Sequence, residues 1–110
     1  MTFDELLQKH RVTVQIHDEV LPGWFPLLER TFRKLAKAGW NRQAVQIKEK
    51  MGGLRLYLAG GNDRLWAIAQ QAENESVEIC ELCGKPGKRR SRRGWIMTRC
   101  ARCFKATGKA

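Results

Sequence analysis

The feature that most constrains this chain is a pair of Cys-x-x-Cys motifs toward its C-terminal end. Cys80 and Cys83 form the first motif, and Cys100 and Cys103 form the second after sixteen intervening residues. Two thiolates on one tight turn can share a metal ion, and a second such turn completes a tetrahedron. Gly84, directly after the first motif, suits a turn that needs a positive φ angle. The spacing therefore predicts a closed, structural metal site, with zinc as the metal.

Other uses of these cysteines have weaker support in the sequence. A thioredoxin-like redox site needs one Cys-x-x-Cys beside a βαβ pattern, which this chain lacks. Two disulfides would imply an oxidising compartment, and no signal-peptide pattern precedes the domain. A catalytic metal would usually take a His or carboxylate ligand and keep one position open. An iron–sulfur cluster also takes four thiolates, so the spacing alone leaves that alternative open.

The chain has 110 residues, which suits one domain or a small domain with a metal module. Residues 76–110 carry ten basic and two acidic side chains, against eleven and nine in residues 1–75. This concentration of positive charge in the metal-binding segment indicates a polyanionic partner. No apolar run approaches the roughly 20 residues of a membrane span, so we expect no membrane partner. In the absence of other targeting signals, we expect a cytoplasmic protein.

The hydrophobic periodicity predicts an α+β fold, with helices packed on a β-hairpin. We expect a short helix over 2–10 with a Thr2 capping box, a strand or extended connector within 11–20, and a main helix over 23–38. A hairpin of 45–48 with 54–58 follows, with Met51-Gly52-Gly53 between its strands, where Gly-Gly favours a positive-φ turn. A second helix is capped by Asn62. Because isolated hairpins are marginal, this hairpin should pack its apolar side on the main helix. No Pro- or Ser-rich linker follows the second helix. We therefore expect residues 1–76 to form a small α+β domain, with residues 77–110 docked on it as the metal module.

Residues with catalytic potential do not form a recognisable constellation. The chain has no HExxH motif, no Gly-rich phosphate loop and no nucleophile with a plausible base. Gly60-Gly61-Asn62 faintly resembles an anion-binding turn, but a helix cap explains it. His10 and His17 have no cysteine nearby and are interpreted as ordinary surface or boundary residues. We therefore expect a protein that is not an enzyme and has no small-molecule substrate.

The segment between the two cysteine motifs is strongly basic. Its turn residues and returning strand predict a metal-clamped hairpin, with Arg89, Arg90, Arg92 and Arg93 at the tip and away from any core. Cations at a loop tip can neutralise phosphates and release condensed counterions. The simpler alternative is a solvated, soluble surface. The segment contains no acid, and its seven cations are Lys85, Lys88, Arg89, Arg90, Arg92, Arg93 and Arg99.

Trp95, on the stem of this hairpin, has two interpretations. The one we favour is a core position, in which the ring covers the metal or contacts a helix. In the alternative the ring stacks on an unpaired nucleobase.

Three segments together resemble a known group of proteins. They are QIKEKMGGLRLY at residues 46–57, ICELCGKPG at residues 79–87 and GWIMTRC at residues 94–100. The chain resembles, over about residues 20–104, small phage- and prophage-type proteins of bacteria that end in a four-ligand zinc module. The resemblance implies a zinc site and a setting in a bacterial cell or a phage-infected host. It implies no defined activity, although small phage proteins often act by binding a host polymerase or defence complex.

The expected fold is thus α+β with a C-terminal module of the zinc-ribbon or treble-clef type. A short helix beginning at Cys103 would decide between these two. The expected function is a zinc-containing nucleic-acid-binding protein that acts on DNA or RNA through the basic loop. The alternative is a phage-type inhibitor or adaptor that binds a host protein complex. The candidate zinc ligands are Cys80, Cys83, Cys100 and Cys103, and the candidate binding residues are Lys85, Lys88, Arg89, Arg90, Arg92, Arg93, Trp95 and Arg99.

Overall fold

The computed structural model describes residues 1–107 and has the mixed α+β architecture expected from the sequence. A three-stranded sheet and three helices form the larger part, and a two-stranded hairpin and a short helix follow. The elements in chain order are α1 (Phe3–Lys9), β1 (Thr13–Ile16), a 3-10 turn (Pro22–Trp24), α2 (Phe25–Lys37), β2 (Gln43–Lys50), β3 (Gly53–Leu58), α3 (Asp63–Ser76), β4 (Lys88–Arg92), β5 (Trp95–Arg99) and α4 (Ala101–Ala106). None of the helices within residues 1–107 is long and apolar enough to cross a membrane.

The N-terminal ends of α1 and α3 confirm the predicted caps. Thr2 and Glu5 exchange hydrogen bonds of 2.8 and 3.1 Å between side chain and backbone, which is a complete capping box. The Asn62 side chain accepts from the Leu65 amide at 3.0 Å and so caps α3. These polar side chains replace the hydrogen bonds that the first turn of a helix cannot make internally.

Pro26 and Gly39 mark the two ends of helix α2. Pro26 lies in the first turn, where its missing N–H costs no hydrogen bond. Thr31 is buried and donates from its hydroxyl to the Leu27 carbonyl at 2.8 Å. The helix ends before Gly39, whose φ of +92° suits glycine. The buried stripe of α2 includes Leu28, Phe32 and Leu35 and forms the centre of the core.

The sheet places β2 in the middle, parallel to β1 and antiparallel to β3. The β2–β3 turn lies within the predicted segment Met51-Gly52-Gly53 and is formed by Met51 and Gly52, with φ angles of 53° and 80°. The turn is shifted by one residue from the Gly-Gly pair, because Gly53 begins β3 opposite Lys50. A two-residue turn with both residues at positive φ matches the twist of the strands it joins.

A bulge in β2 changes which side chains face the core. The register shifts between Ala44 and Gln46, so Ala44 and Ile47 are both fully buried although they are three positions apart. Val45, which begins the first predicted strand of the hairpin, is consequently only partly buried, and the strand does not follow a simple two-residue alternation. A bulge adds one residue to one strand and so reverses the facing of the residues beyond it.

Helix α3 packs along β3 and also against α2. Its side chains satisfy the outer edge of β3, because Ser76 and Glu73 each accept a 2.9 Å hydrogen bond, from the amides of Leu54 and Leu56. The hairpin was expected to pack its apolar side on α2, and its buried residues Ile47, Leu54 and Leu56 share one core with the α2 stripe. Helix α3 in addition lies directly against β3, where it covers an edge that would otherwise be open to another chain.

Hydrogen bonds to backbone carbonyls join the cysteine-rich segment to the rest of the protein. The Gly23 amide donates to the Glu81 carbonyl at 2.8 Å, and the Trp24 indole donates to the Ile79 carbonyl at 3.0 Å. The Thr98 hydroxyl, which is fully buried, donates to the Gly52 carbonyl at the β2–β3 turn. The division of the chain at residue 76 remains a prediction, but these hydrogen bonds hold the two segments together.

Candidate metal centre and its basic hairpin

The four cysteines come together as the motif spacing predicts. Their sulfur atoms all lie within 4.8 Å of one another, and the Cys83 and Cys100 sulfurs are 3.7 Å apart. A tetrahedron with metal–sulfur bonds of about 2.3 Å has sulfur–sulfur edges of about 3.8 Å. A disulfide would need about 2.05 Å. The cluster is therefore unbridged and has the dimensions of a four-thiolate site that can hold a metal ion.

A tight turn presents the first two sulfurs. The Cys80 amide donates to the Lys85 carbonyl at 2.8 Å, and the Gly84 amide donates to the Cys80 carbonyl at 2.9 Å. Gly84 has the predicted positive φ, at +81°. A Cβ on Gly84 would also lie 3.2 Å from the Gly23 carbonyl oxygen, so glycine serves both the turn and the contact with the core.

The second pair of sulfurs comes from the start of a helix. Cys100 is extended, and its sulfur accepts from the Cys103 amide at 3.4 Å, so this cysteine caps α4. Cys103 lies within the first turn of α4. Residues three apart at a helix start lie on one side of the turn, so both sulfurs face the first pair.

The electrostatics of the cluster suit a bound cation. Burial opposes ionisation of Cys80, but the amides of Cys100, Cys83 and Leu82 outweigh it and lower the pKa of Cys80 to about 6. The Cys103 amide lowers the pKa of Cys100, while the hydrogen bond with Cys100 raises the pKa of Cys103 to about 12. Four thiols this close cannot all ionise without positive charge between them. A bound metal ion would supply that charge.

The cations on the basic hairpin fall into two sets with different roles. The Arg92 guanidinium lies 3.9 Å from the Phe104 ring centroid, and the Arg90 guanidinium lies 5.3 Å from it. Arg92 also donates to the Phe104 carbonyl at 3.2 Å, and Arg90 donates to the Arg99 carbonyl at 2.8 Å. The expectation that both arginines lie at a free tip is therefore wrong. They hold α4 against β4, and the hairpin turn itself is Arg93-Gly94.

Arg99 is likewise engaged within the protein. Its Nε lies 3.2 Å from a carboxylate oxygen of Glu81, whose side chain is only 5% exposed. Burial raises the pKa of Glu81, and the hydrogen bond from Arg99 opposes that rise. A buried carboxylate needs such a partner, so Arg99 is a structural cation with little capacity left for another ligand.

The remaining candidate binding residues are exposed. Met97 and Thr98 occupy the buried positions of β5, which leaves Trp95 at the open end of the hairpin with 72% of its surface exposed. The favoured interpretation of Trp95 as a core residue is therefore wrong. The exposed candidates are Lys85, Lys88, Arg89, Arg93 and Trp95.

The two histidines lie away from the cysteine cluster. His10 is largely buried and shares a 2.9 Å hydrogen bond with Glu29. His17 is exposed beside Asp4 and Glu19. Their interpretation as boundary and surface residues is confirmed.

Two cations near the site were not identified from the sequence. Arg102 lies with Lys85 at an open cleft beside Cys83, Cys100 and Cys103. Arg55 lies beside Arg89 above Gly53, although the two are 34 positions apart in the chain. In the sequence Arg55 is simply a polar residue in the alternation of β3. The signal that could have singled it out is its position two residues after Gly53 on the same side of the strand, where the missing side chain lets other residues approach.

No family model matches this chain, and no curated protein or solved structure is significantly similar to it. The resemblance to phage-type proteins therefore remains an expectation based on the three quoted segments. Function has to be inferred from the geometry and charge of the site.

Proposed function

We propose that this protein binds single-stranded nucleic acid through a zinc-stabilised hairpin and that it acts by binding, without catalysis. Zinc is proposed because four clustered thiolates of tetrahedral dimensions leave no open ligand position, which is the arrangement of structural zinc sites. The main alternative is an iron–sulfur cluster. Metal analysis of protein purified without added metal, together with its visible absorption spectrum, distinguishes the two.

The order of elements supports a treble-clef-type module. A turn with two cysteines is followed by the β4–β5 hairpin and then by α4, which carries the second pair at its start. In a zinc ribbon the second pair would lie on another hairpin turn. We accordingly infer that zinc ties the first turn to α4 and fixes the hairpin between them.

The exposed indole of Trp95 carries the nucleic-acid proposal. A large aromatic side chain that is 72% exposed, next to Arg93 and on a hairpin that also presents Lys88 and Arg89, combines a stacking platform with phosphate-neutralising charge. Aromatic stacking needs an unpaired base, which favours a single strand over a duplex. In the protein without a partner, the unpaired like charges on this hairpin repel one another and contribute no stability. A polyanionic partner therefore accounts for them best.

The test compares two exposed tryptophans. Trp95→Ala should weaken binding of a fluorescent single-stranded oligonucleotide about tenfold, since one stacked base contributes about 1–3 kcal/mol. Trp66, which is 53% exposed on α3, provides the matched control, and Trp66→Ala should leave affinity unchanged. Equal affinities for the parent and both variants would contradict the proposal. Parallel DNA and RNA oligonucleotides decide which nucleic acid is preferred.

A second test uses the salt dependence of binding. Changing Lys88, Arg89 and Arg93 to Gln together should reduce the slope of log K against log salt by about 2, near 0.7 for each lost phosphate contact. The fold and the bound metal should survive, because all three side chains are exposed. An unchanged slope would assign these cations to a solvated surface.

One observation favours the host-protein alternative. Met51 is 58% exposed and lines the same surface depression as Trp95 and Ile96, with Glu49 at its border. An exposed apolar pair with a charged rim is also typical of a protein interface. A pull-down from bacterial lysate with and without nuclease separates the two functions. Capture of a partner that persists after nuclease and is lost in Trp95→Ala would favour the adaptor or inhibitor.

A further inference from the structure

The outer side of the sheet carries a polar cleft formed jointly by the sheet, α3 and the basic hairpin. Its volume is about 400 Å³, and it lies outside the exposed tip at Trp95. The cleft is lined by Arg55 of β3, Gln70, Glu73 and Asn74 of α3, Val77, and Arg89 of β4.

Two guanidinium groups converge over the same point in this cleft. A Cβ built on Gly53 would lie 3.0 Å from Arg55 Nη1 and 3.3 Å from Arg89 Nη2. Gly53 has no side chain, and only for that reason can both arginines lie over its backbone. Any larger residue would move at least one of them away.

The cleft carries a net positive charge, because two arginines and one acid, Glu73, line it. Neither Arg55 nor Arg89 has a carboxylate within ion-pair distance among residues 1–107. Glu73 lines the cleft, but its carboxylate accepts from the Leu56 amide at 2.9 Å. Lys48 lies directly opposite Arg55 on β2 and adds a further positive charge. Directly opposite like charges destabilise a sheet, so the arrangement calls for an anion.

We propose that Arg55 and Arg89 form a phosphate-binding clamp, with the amide side chain of Asn74 as a neighbouring donor. Two planar guanidinium groups can present parallel N–H donors to the oxygens of one phosphate. The identification of that phosphate as a backbone phosphodiester of a bound single strand rests on the function proposed above. The clamp would then carry the strand from the hairpin tip onto the sheet. A free phosphate group is the other source of the same chemistry.

A structural role for these arginines makes a different prediction. The last turn of α3 has no basic residue of its own, so nearby cations could stabilise its C-terminal end. However, Arg55 donates its hydrogen bond to the Leu54 carbonyl, 3.2 Å away, and not to a carbonyl of α3. If Arg55 stabilises the end of α3, removing its charge should lower the melting temperature. If Arg55 and Arg89 only repel each other in the free protein, removing one of them should leave the melting temperature unchanged or raise it.

The experiment compares Arg55→Gln with Arg64→Gln in the full, metal-loaded chain. Arg64 is an exposed residue at the opposite end of α3, so its variant loses the same charge outside the cleft. Arg55→Gln should weaken oligonucleotide binding about tenfold and reduce the salt slope by about 0.7, without lowering the melting temperature. Arg64→Gln should change neither. Equal losses in both variants, or a lower melting temperature with unchanged affinity for Arg55→Gln, would overturn the clamp.

A second measurement keeps the clamp testable if the protein binds no oligonucleotide. Titration with inorganic phosphate, followed by NMR, should shift the Gly53 amide and the Arg55 and Arg89 Nε–H signals along one saturable curve. The Arg55→Gln variant should lose this response at Gly53. Saturable shifts in a protein that binds no oligonucleotide would retain the clamp for a different phosphate source and refute the nucleic-acid function. Absence of saturable shifts and of an Arg55 effect would refute the clamp alone.

Discussion

The backbone amide of Gly23 donates a 2.8 Å hydrogen bond to the backbone carbonyl of Glu81. This bond joins the 3-10 turn that opens α2 to the turn between Cys80 and Cys83. A Cβ on Gly23 would lie 2.1 Å from the Cys80 carbonyl oxygen and 2.5 Å from that of Glu81. The position of the candidate metal centre is therefore coupled to the helical core through a contact that tolerates only glycine.

The first prediction follows from this contact. Gly23→Ala should lower the free energy of unfolding by at least about 3 kcal/mol, because the new methyl group can be placed only by separating two backbones. Gly60→Ala is the control, since Gly60 has a positive φ but open space around it, and should cost about 1 kcal/mol. Urea denaturation measures both. Similar costs for the two variants would show that the contact at Gly23 relaxes freely.

The second prediction concerns metal removal. Cys83→Ser, or chelation of the parent, should unfold residues 77–107, because these residues contribute few buried apolar side chains of their own. Through the Gly23 and Trp24 hydrogen bonds the helical core should also lose stability. Circular dichroism and limited proteolysis report on the two parts, and re-addition of zinc to the chelated parent should restore both. A fragment of about residues 1–76 that melts as cooperatively as the parent would contradict the coupling.

The third prediction separates the two sets of arginines on the hairpin. Arg92→Gln should destabilise the protein by about 1 kcal/mol, because it removes the cation–π contact with Phe104 and the hydrogen bond to its carbonyl. Arg93→Gln removes the same charge from the exposed turn and should have almost no effect on stability. Thermal denaturation of the two variants measures the difference. Equal stabilities would show that Arg92 does not hold α4.

The fourth prediction is a pH dependence. The hydrogen bond from Lys9 and, to a smaller extent, the one from His10 lower the pKa of Glu29 to about 2. The pKa of Glu in an unfolded chain is about 4.3. Because the folded pKa is the lower one, ionised Glu29 stabilises the fold fully above about pH 4.5 and loses this effect as the pH falls toward 2. Glu29→Gln should therefore flatten the acid side of the stability profile between these values. Glu78→Gln, which removes the same charge at an exposed position, is the matched control, and equal flattening in both variants would contradict the role of Glu29.

Local physical rules account for much that the sequence predicts correctly. The capping residues Thr2 and Asn62, the end of α2 before Gly39 and the positive φ of Gly84 depend on neighbours within about four positions. The four cysteines are predictable for a similar reason, because their spacing alone decides which thiolates can reach one ion. The cysteine cluster and the α+β class could therefore be predicted from the chain itself.

Tertiary packing decided the features that the sequence could not. Arg90, Arg92 and Arg93 are indistinguishable in the sequence, yet the ring of Phe104 engages the first two and the hairpin turn exposes the third. Trp95 is exposed because Met97 and Thr98 fill the space against the core. The pairing of Arg55 with Arg89 arises only when β3 and β4 meet over Gly53. Composition and spacing determine which chemistry a segment can perform, whereas long-range packing determines which of its side chains remain free to perform it.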